Sequence, residues 1–523
     1  MTDVSYRDRV MGCWIGKAIG GTLGQSFEGQ DGPLDTDFYR PVPTEMVPND
    51  DLDLQVVWAV TLAAGERPRI ASDSLTGAWL HHVEFPFNEY GVAKRNLREG
   101  LRPPETGSYD NWFTCGEGAA IRSELWACLA PKDPQTAARY AAFDAHVDHD
   151  GDGVFAAMFL AAMQSAAFGG GDVSTLLDAG LAVIPSDCGI ARVVTATVEH
   201  VQAGLPWTTA RERILADFGS GDFTDVRMNT GFVVLGLLHG QGDFEKSILI
   251  TNNCGKDTDS STASVGAVLG IRAPGDIPDR WAAPIGRDLV LSPGIVNLSA
   301  PPTLDAFTDL VADLRQRLDR HTASSLGQDP AETRNEASFA DSENRVLPVQ
   351  GTYYSLRDEH RNLDTWFLPD QGPAPEWPSQ PVPMVLPGTW SRRTRDEFDD
   401  DLLMLSYPVR LGDSVRARIM VAATVPCRVW LDGQWLFGRD GGPMFPAPHM
   451  PRLNTYADLD LAAGDYELRV VLQRPGNSEV AEWVVAVADA ATKEWIPGVF
   501  RDGTAVDDTD RQSVVAMEVI AEG

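Results

Sequence analysis

Two short acidic stretches hold the residue types best suited to chemistry. In PNDDLDLQVVWAV, Asn49, Asp50 and Asp51 precede an apolar periodic run, and in NNCGKDTDSSTASVGAVLG, Asp257, Asp259 and Ser260 stand in the same relation to another. Adjacent carboxylates repel unless a cation or a proton is shared between them. Two such groups facing each other therefore suggest a hard divalent ion held by oxygens, magnesium by preference. The competing assignment is helix capping, since Asp, Asn and Ser accept bonds from the free N–H groups of a first turn. A third stretch, Asp148 to Gly153 (DHDGDG), matches the first half of a calcium loop, but the twelfth position falls on Phe159, inside an apolar run. Calcium needs both ends of such a loop to converge, so this one is expected to bind none.

These residues need elements to hold them. Up to about residue 320, Ala- and Leu-rich periodic segments such as DLQVVWAVTLAAG and GIARVVTATVEHVQAG alternate with short Gly, Pro, Asn and Asp turns, an all-helical texture. Residues 321–344 are polar, with few large apolar side chains, and are expected to be a linker. Beyond them, in residues 345–523, the period becomes two in VRARIMVAATV, CRVWLDGQWLFG and YELRVVLQR, with turns at Asp-Gly, which predicts a jelly-roll-like β-sandwich. Trp435, Phe437, Phe445 and His449 are expected in a Gly/Pro-rich loop, with more aromatic surface than a solvated loop carries, and so to pack against the helical part.

Composition limits the partners. With 43 Lys and Arg against 75 Asp and Glu, the formal charge of −32 opposes nucleic acid and anionic membranes, which call for clustered cations. No secretory leader and no apolar run long enough for a membrane span is visible. The six scattered cysteines are expected to be reduced, in the cytoplasm. Nothing in the sequence fixes an oligomeric state.

The first 300 or so residues resemble the ADP-ribosylglycohydrolase family. RVMGCWIGKAIGGTLGQSFEG is similar to its opening Gly-rich helix-turn and places Glu28 on the family's mobile catalytic glutamate. Asn49-Asp50-Asp51 falls on the first ligand triplet and Asp257-Thr258-Asp259-Ser260 on the second. CGEGAAIRSEL, with Gly118 and Arg122, resembles the segment shaping the ribose and phosphate cradle, and AHVDHDGDG puts His149 on the family's histidine. The resemblance implies a compact all-α fold, one or two Mg2+ ions on Asn49, Asp50, Asp51, Asp257, Asp259 and Ser260, and a catalytic set of Glu28, Asp51 and Asp257. His149 and Lys256 would contact substrate, and Asn111 and Trp112 would add a wall over the sugar. This chain departs from the pattern at Gly20-Gly21 for Gly-Asp, at Asn49 and Ser260 among the ligands, at Leu52 for Thr, and at Lys256 for a second glycine.

Three functions compete. The first is a magnesium-dependent glycohydrolase cleaving an N- or O-glycosidic bond of a small glycoside or nucleoside-like ribosyl compound. The second removes ADP-ribose from protein or a small molecule, and the third is a carbohydrate-binding protein without catalysis. The acidic balance and the altered residues favour the first, as does the resemblance of the C-terminal third to accessory modules of carbohydrate-active enzymes. The four aspartates weigh against the third.

Overall fold

The computed structural model describes residues 4–65, 68–322, 347–354, 381–476 and 480–500, so most of the expected linker lies outside them. The chain divides into two compact units, one of residues 1–85, 102–108 and 113–333, the other of residues 86–101, 109–112 and 334–523. The first unit is helical and the second is built on antiparallel sheets.

In the helical unit, the N-terminal helix Tyr6–Gly24 carries glycine at every fourth position: Gly12, Gly16, Gly20 and Gly24. With 3.6 residues per turn, this spacing lines the glycines along one face. A Cβ at Gly12, Gly16 or Gly20 would lie 2.0–2.3 Å from the carbonyl oxygens of Gly270, Gly266 and Thr262, and one at Gly24 would lie 2.3 Å from the Asp259 amide nitrogen. The helix Thr258–Arg272 thus packs backbone to backbone against the first, and Thr258 Oγ1 donates to the Gly24 carbonyl at 2.8 Å. This contact brings the chain leaving the first helix, which leads to Glu28, beside the start of the helix bearing Asp259. The other acidic stretch opens the helix Asp50–Ala64, whose Leu54, Val56, Val57, Trp58 and Ala59 are fully buried. Burial of that apolar body fixes which way its polar first turn points.

The β unit holds β1 (Leu347–Tyr354), β2 (Val382–Leu386), β3 (Trp390–Thr394), β4 (Leu402–Leu411), β5 (Val415–Ala423), β6 (Pro426–Leu431), β7 (Gln434–Asp440), β8 (Tyr456–Leu461), β9 (Gly464–Gln473) and β10 (Val480–Asp489). One sheet runs β2-β1-β4-β9-β6-β7 and the other β3-β10-β5-β8. Side chains from both, among them Leu405, Tyr407, Ile419, Val470, Trp483 and Val485, form a single core, with Trp483 Nε1 donating to Tyr407 Oη at 2.8 Å. Trp435 and Phe437 are not in a loop. They lie on β7, paired with β6 through a two-residue turn in which Asp432 and Gly433 both have positive φ, as an Asp-Gly hairpin requires. Phe437 enters the core, and Trp435 meets Trp430 edge-on at 5.4 Å. Those aromatics serve the unit's own packing.

The helix Asn88–Arg98 belongs to this second unit although it lies deep in the N-terminal half. Lys94 Nζ meets Glu494 at 2.7 Å, and Arg95 meets Asp110 at 3.2 Å and stacks over Trp495 at 5.1 Å. Asp110 in turn accepts from the Thr389 amide at 3.0 Å, the Thr389 hydroxyl at 2.8 Å and the Trp390 amide at 2.8 Å. No shift in composition marks residues 86–101 or 109–112, because these bonds use single charges on otherwise ordinary helical and turn segments.

Candidate active site

The two acidic stretches, far apart in sequence, meet. Asn49 caps its helix by accepting the Asp51 amide on Oδ1 at 2.8 Å, and its Nδ2 donates to Asp259 Oδ2 at 3.0 Å across 210 positions of chain. Asp50 and Asp51 lie within the first helical turn and not ahead of it. Asp257 occupies the N-cap position of its helix but makes no side-chain capping bond. Capping and site-building are therefore divided: Asn49 does both, whereas the Asp257 carboxylate turns into the cluster. One carboxylate oxygen from each of Glu28, Asp257 and Asp259 lies within 4.8 Å of the others. Ser260 is buried in the first turn after them.

Glu28 reaches this position because its loop is stitched to the chain just before Asp257. The Gly29 amide donates to the Lys256 carbonyl at 2.9 Å, the Lys256 amide donates to the Gln30 carbonyl at 2.7 Å, and Asp31 bridges Gly255. Lys256 adopts a left-handed backbone, φ 69°, a conformation that L side chains adopt at some cost, and its ammonium pairs with Asp31. That pairing occupies the group expected to reach substrate.

The electrostatics follow from crowding. Burial, then the charges of Asp259 and Asp51, push the Glu28 carboxyl up to about 8. Burial raises Asp51 to about 7, with Lys17 opposing. Asp50 is raised by burial and by Asp51, and Asp257 by burial, Glu117 and Asp259. Among the described residues, Asp51 Oδ1 and Asp259 Oδ1 are buried without a hydrogen-bond partner. Buried carboxylate oxygens without donors are costly unless a proton or cation satisfies them. The residues thus fit a hard divalent ion, and magnesium is bound in this way by a few carboxylates and waters.

Sequence reasoning missed Glu117 and Lys17. Glu117 is 3% exposed, and its carboxyl is raised by burial and by the charges of Asp51 and Asp259. Its signal was an acidic residue between two glycines in CGEGAA, a segment singled out for its glycines and arginine alone. Lys17, 1% exposed, places Nζ 3.4 Å from Asp51 and 3.2 Å from Glu124. A lysine within an apolar, glycine-spaced helix was the visible clue.

Other expected contacts take different roles. Arg122 is fully buried, with its guanidinium on Asp144 (2.9 Å), on Asp148 (2.6 and 3.0 Å) and on the Gly118 carbonyl (2.6 Å). His149 Nδ1 lies 2.9 Å from the same Asp148, whose carboxyl is held low against burial by Arg122 and His149. Arg122, Gly118 and His149 therefore form a buried knot under the segment, and the geometry lends no support to a phosphate contact from Arg122. In the stretch 148–153, Asp148 is held by Arg122, Asp150 is exposed, and Asp152 accepts from the Ile190 amide at 3.3 Å. Asn111 and Trp112 fall in the segment grouped with the β unit.

All six cysteines are free, and among the described residues no helix is long and apolar enough to cross a membrane. Comparison with curated proteins gives no match. A solved ADP-ribosylglycohydrolase-related protein complex is similar at 17% identity, over 60% of this chain and 99% of that one, with a TM-score of 0.43. The ADP-ribosylglycohydrolase family pattern matches residues 2–320, more than half of the chain and the whole of the stretch that builds the acidic cluster. The chain therefore belongs to the ADP-ribosylglycohydrolase family and is a hydrolase of the glycohydrolase kind.

Proposed function

We propose that this enzyme hydrolyses the glycosidic bond of a small, uncharged glycoside or ribosyl compound with the help of magnesium. The observation that carries the reading is the convergence of Glu28, Asp257 and Asp259 at the junction of two helix starts. Magnesium bound there would grip vicinal sugar hydroxyls and stabilise developing negative charge on oxygen. The chain's own residues do the rest. Glu28 keeps an exposed edge, and a carboxylate has two oxygens, so it can touch the ion with one and exchange a proton with water or the leaving atom through the other. Asp51 Oδ1, buried and without a hydrogen-bond partner among the described residues, would accept a hydrogen bond from a sugar hydroxyl. Heterolysis at the anomeric carbon passes through an oxocarbenium-like state, which a ring of fixed carboxylates favours.

Membership of the family favours a second reading, hydrolysis of ADP-ribosylated protein or small molecules. The uncharged substrate is preferred because Lys17, Arg122 and Lys256 are each engaged by carboxylates, which leaves none of the three for a pyrophosphate. Assaying nitrophenyl furanosides and pyranosides, nucleosides and ADP-ribosylated substrates, each with magnesium or with chelator, tests both. Magnesium-dependent release from an uncharged glycoside, lost in Glu28→Gln, is the expected result. Turnover of ADP-ribosylated substrates alone would establish the second reading, and equal turnover in chelator would refute the magnesium role.

A further inference from the structure

The two halves of the acidic cluster are unlike. Around Glu28, Asp257 and Asp259 the carboxylate oxygens face one another, and among the described residues no Lys or Arg pairs with Asp257 or Asp259. Around Asp51 the carboxylates of Asp259 and Glu124 are also near, but here a buried cation is packed among them. The Lys17 ammonium lies 3.4 Å from Asp51 Oδ2 and 3.2 Å from Glu124 Oε1. Glu124 is satisfied further by Gln164 Nε2 at 3.2 Å and Gln55 Nε2 at 3.0 Å. Asn49 gives its oxygen to the Asp51 amide and turns its NH2 towards Asp259, so it presents a donor where a ligand would present an acceptor. Which way that amide points follows from its bond to a backbone N–H, which only oxygen can accept.

We propose that this site holds one divalent cation, among Glu28, Asp257 and Asp259, and that the Lys17 ammonium and the Asn49 amide fill the place a second ion would take. The inference rests on the magnesium-dependent reading above and narrows it. A cation on Asp51 would have to share that carboxylate with a buried ammonium whose stem is packed within a helix and cannot swing to solvent, so like charges would be confined together. A cation on the other half meets three carboxylates and no competing charge. Lys17, Gly21, Thr22, Asn49, Asp51 and Leu52 are among the residues lining a small cavity beside the cluster, where a Cβ at Gly21 would come within 3.4 Å of the Asn49 amide. With the Lys17 ammonium shared between it and Glu124, Asp51 serves there as a hydrogen-bond acceptor, a positioning residue and not a metal ligand.

The test uses Mn2+ as the probe on the full chain, with bound metal counted after equilibrium dialysis and its environment read by electron paramagnetic resonance. One ion per chain with the spectrum of an isolated centre is expected. Glu28→Gln and Asp259→Asn should each weaken it by more than the roughly 10–100-fold that losing an outer partner costs, while Asp51→Asn should change its affinity by no more than that outer-partner range. Circular dichroism on each variant separates loss of ligand from loss of fold, and the count on the unaltered chain depends on no variant. Two ions per chain, an exchange-coupled pair, or one ion kept by Glu28→Gln and lost in Asp51→Asn would each overturn the proposal. Two ions with magnesium-dependent hydrolysis would leave the glycohydrolase reading standing, whereas no bound ion together with hydrolysis in chelator would sink both.

Discussion

The acidic end of the helical unit and the β unit both hold carboxylates withdrawn at least in part from solvent, and they treat them in opposite ways. In the β unit three of them are answered by cations: Asp110 by Arg95 and three further donors, Glu494 by Lys94 and Arg98, Asp458 by Arg418 at 2.7 and 2.8 Å. Bonding to Arg418 holds Asp458 low, and although burial opposes it, Lys94 does the same for Glu494. In the cluster, Asp257 and Asp259 have no such partner among the described residues, and Glu28, Asp50, Asp51, Glu117 and Asp257 are all pushed up. The helical unit is able to pair its acids, as Arg122 with Asp144 and Asp148 shows. The deficit is local. Paired buried charges stabilise a fold, and unpaired ones of one sign mark a place built to receive something else.

The sharpest way to break this comparison is to remove one carboxylate from each region. Asp257→Ala should lower turnover by roughly 10²–10³-fold or more, yet leave the melting temperature in chelator unchanged or raised, because a like charge has been taken out of a repelling cluster. Asp110→Ala should cost about 3–5 kcal/mol of stability, since it strands Arg95 and three donors. Paired thermal melts and assays check both, and destabilisation of the Asp257 variant by as much as the Asp110 variant would erase the distinction.

A smaller effect lies in pH. Glu28 and Asp51 keep protons in the folded, metal-free protein to about 8 and about 7, whereas unfolded acids lose theirs near ~4. The folded state then binds more protons between ~4 and ~8, so stability falls as pH rises through that window. Glu494 and Asp458, with lowered carboxyls, contribute stability that is present above ~4 and is lost only on acidification below it. Melting temperature in chelator should therefore decline from about pH 5 to 8, and saturating magnesium should flatten the decline by replacing the protons. An unchanged melting temperature across that range in chelator would mean the cluster is not strained by charge.

Much of the fold was legible because its signals are local. Acidic and amide residues before apolar runs mark helix starts, a change of period from about four to two marks the passage to sheets, and Asp-Gly between aromatic strands marks a hairpin. The hairpin residues show the limit: Asp432-Gly433 was readable as a turn, but glycines and prolines further on drew Trp435 and Phe437 into an imagined loop, when strand pairing with β6 decides their place. At the site, Glu28 and the two aspartate pairs were legible through residue type and motif order. Glu117 and Lys17 were not, because a lone glutamate or lysine in sequence is ordinarily a solvated one, and only packing removes the water.

By itself the sequence determined which helices carry acids at their starts, that the first helix is rich in glycine, and that the last third is β-structure, since each depends on residues within a turn or two of one another. The tertiary structure alone decided that Asn49 would touch Asp259, that Lys17 would sit beneath Asp51, that Arg122 would be engaged by Asp144 and Asp148, and that the helix Asn88–Arg98 would join the β unit. The physical reason is common to all four. A buried charge takes its meaning from whichever opposite or like charge is packed against it, and that partner is set by the approach of elements distant in the chain.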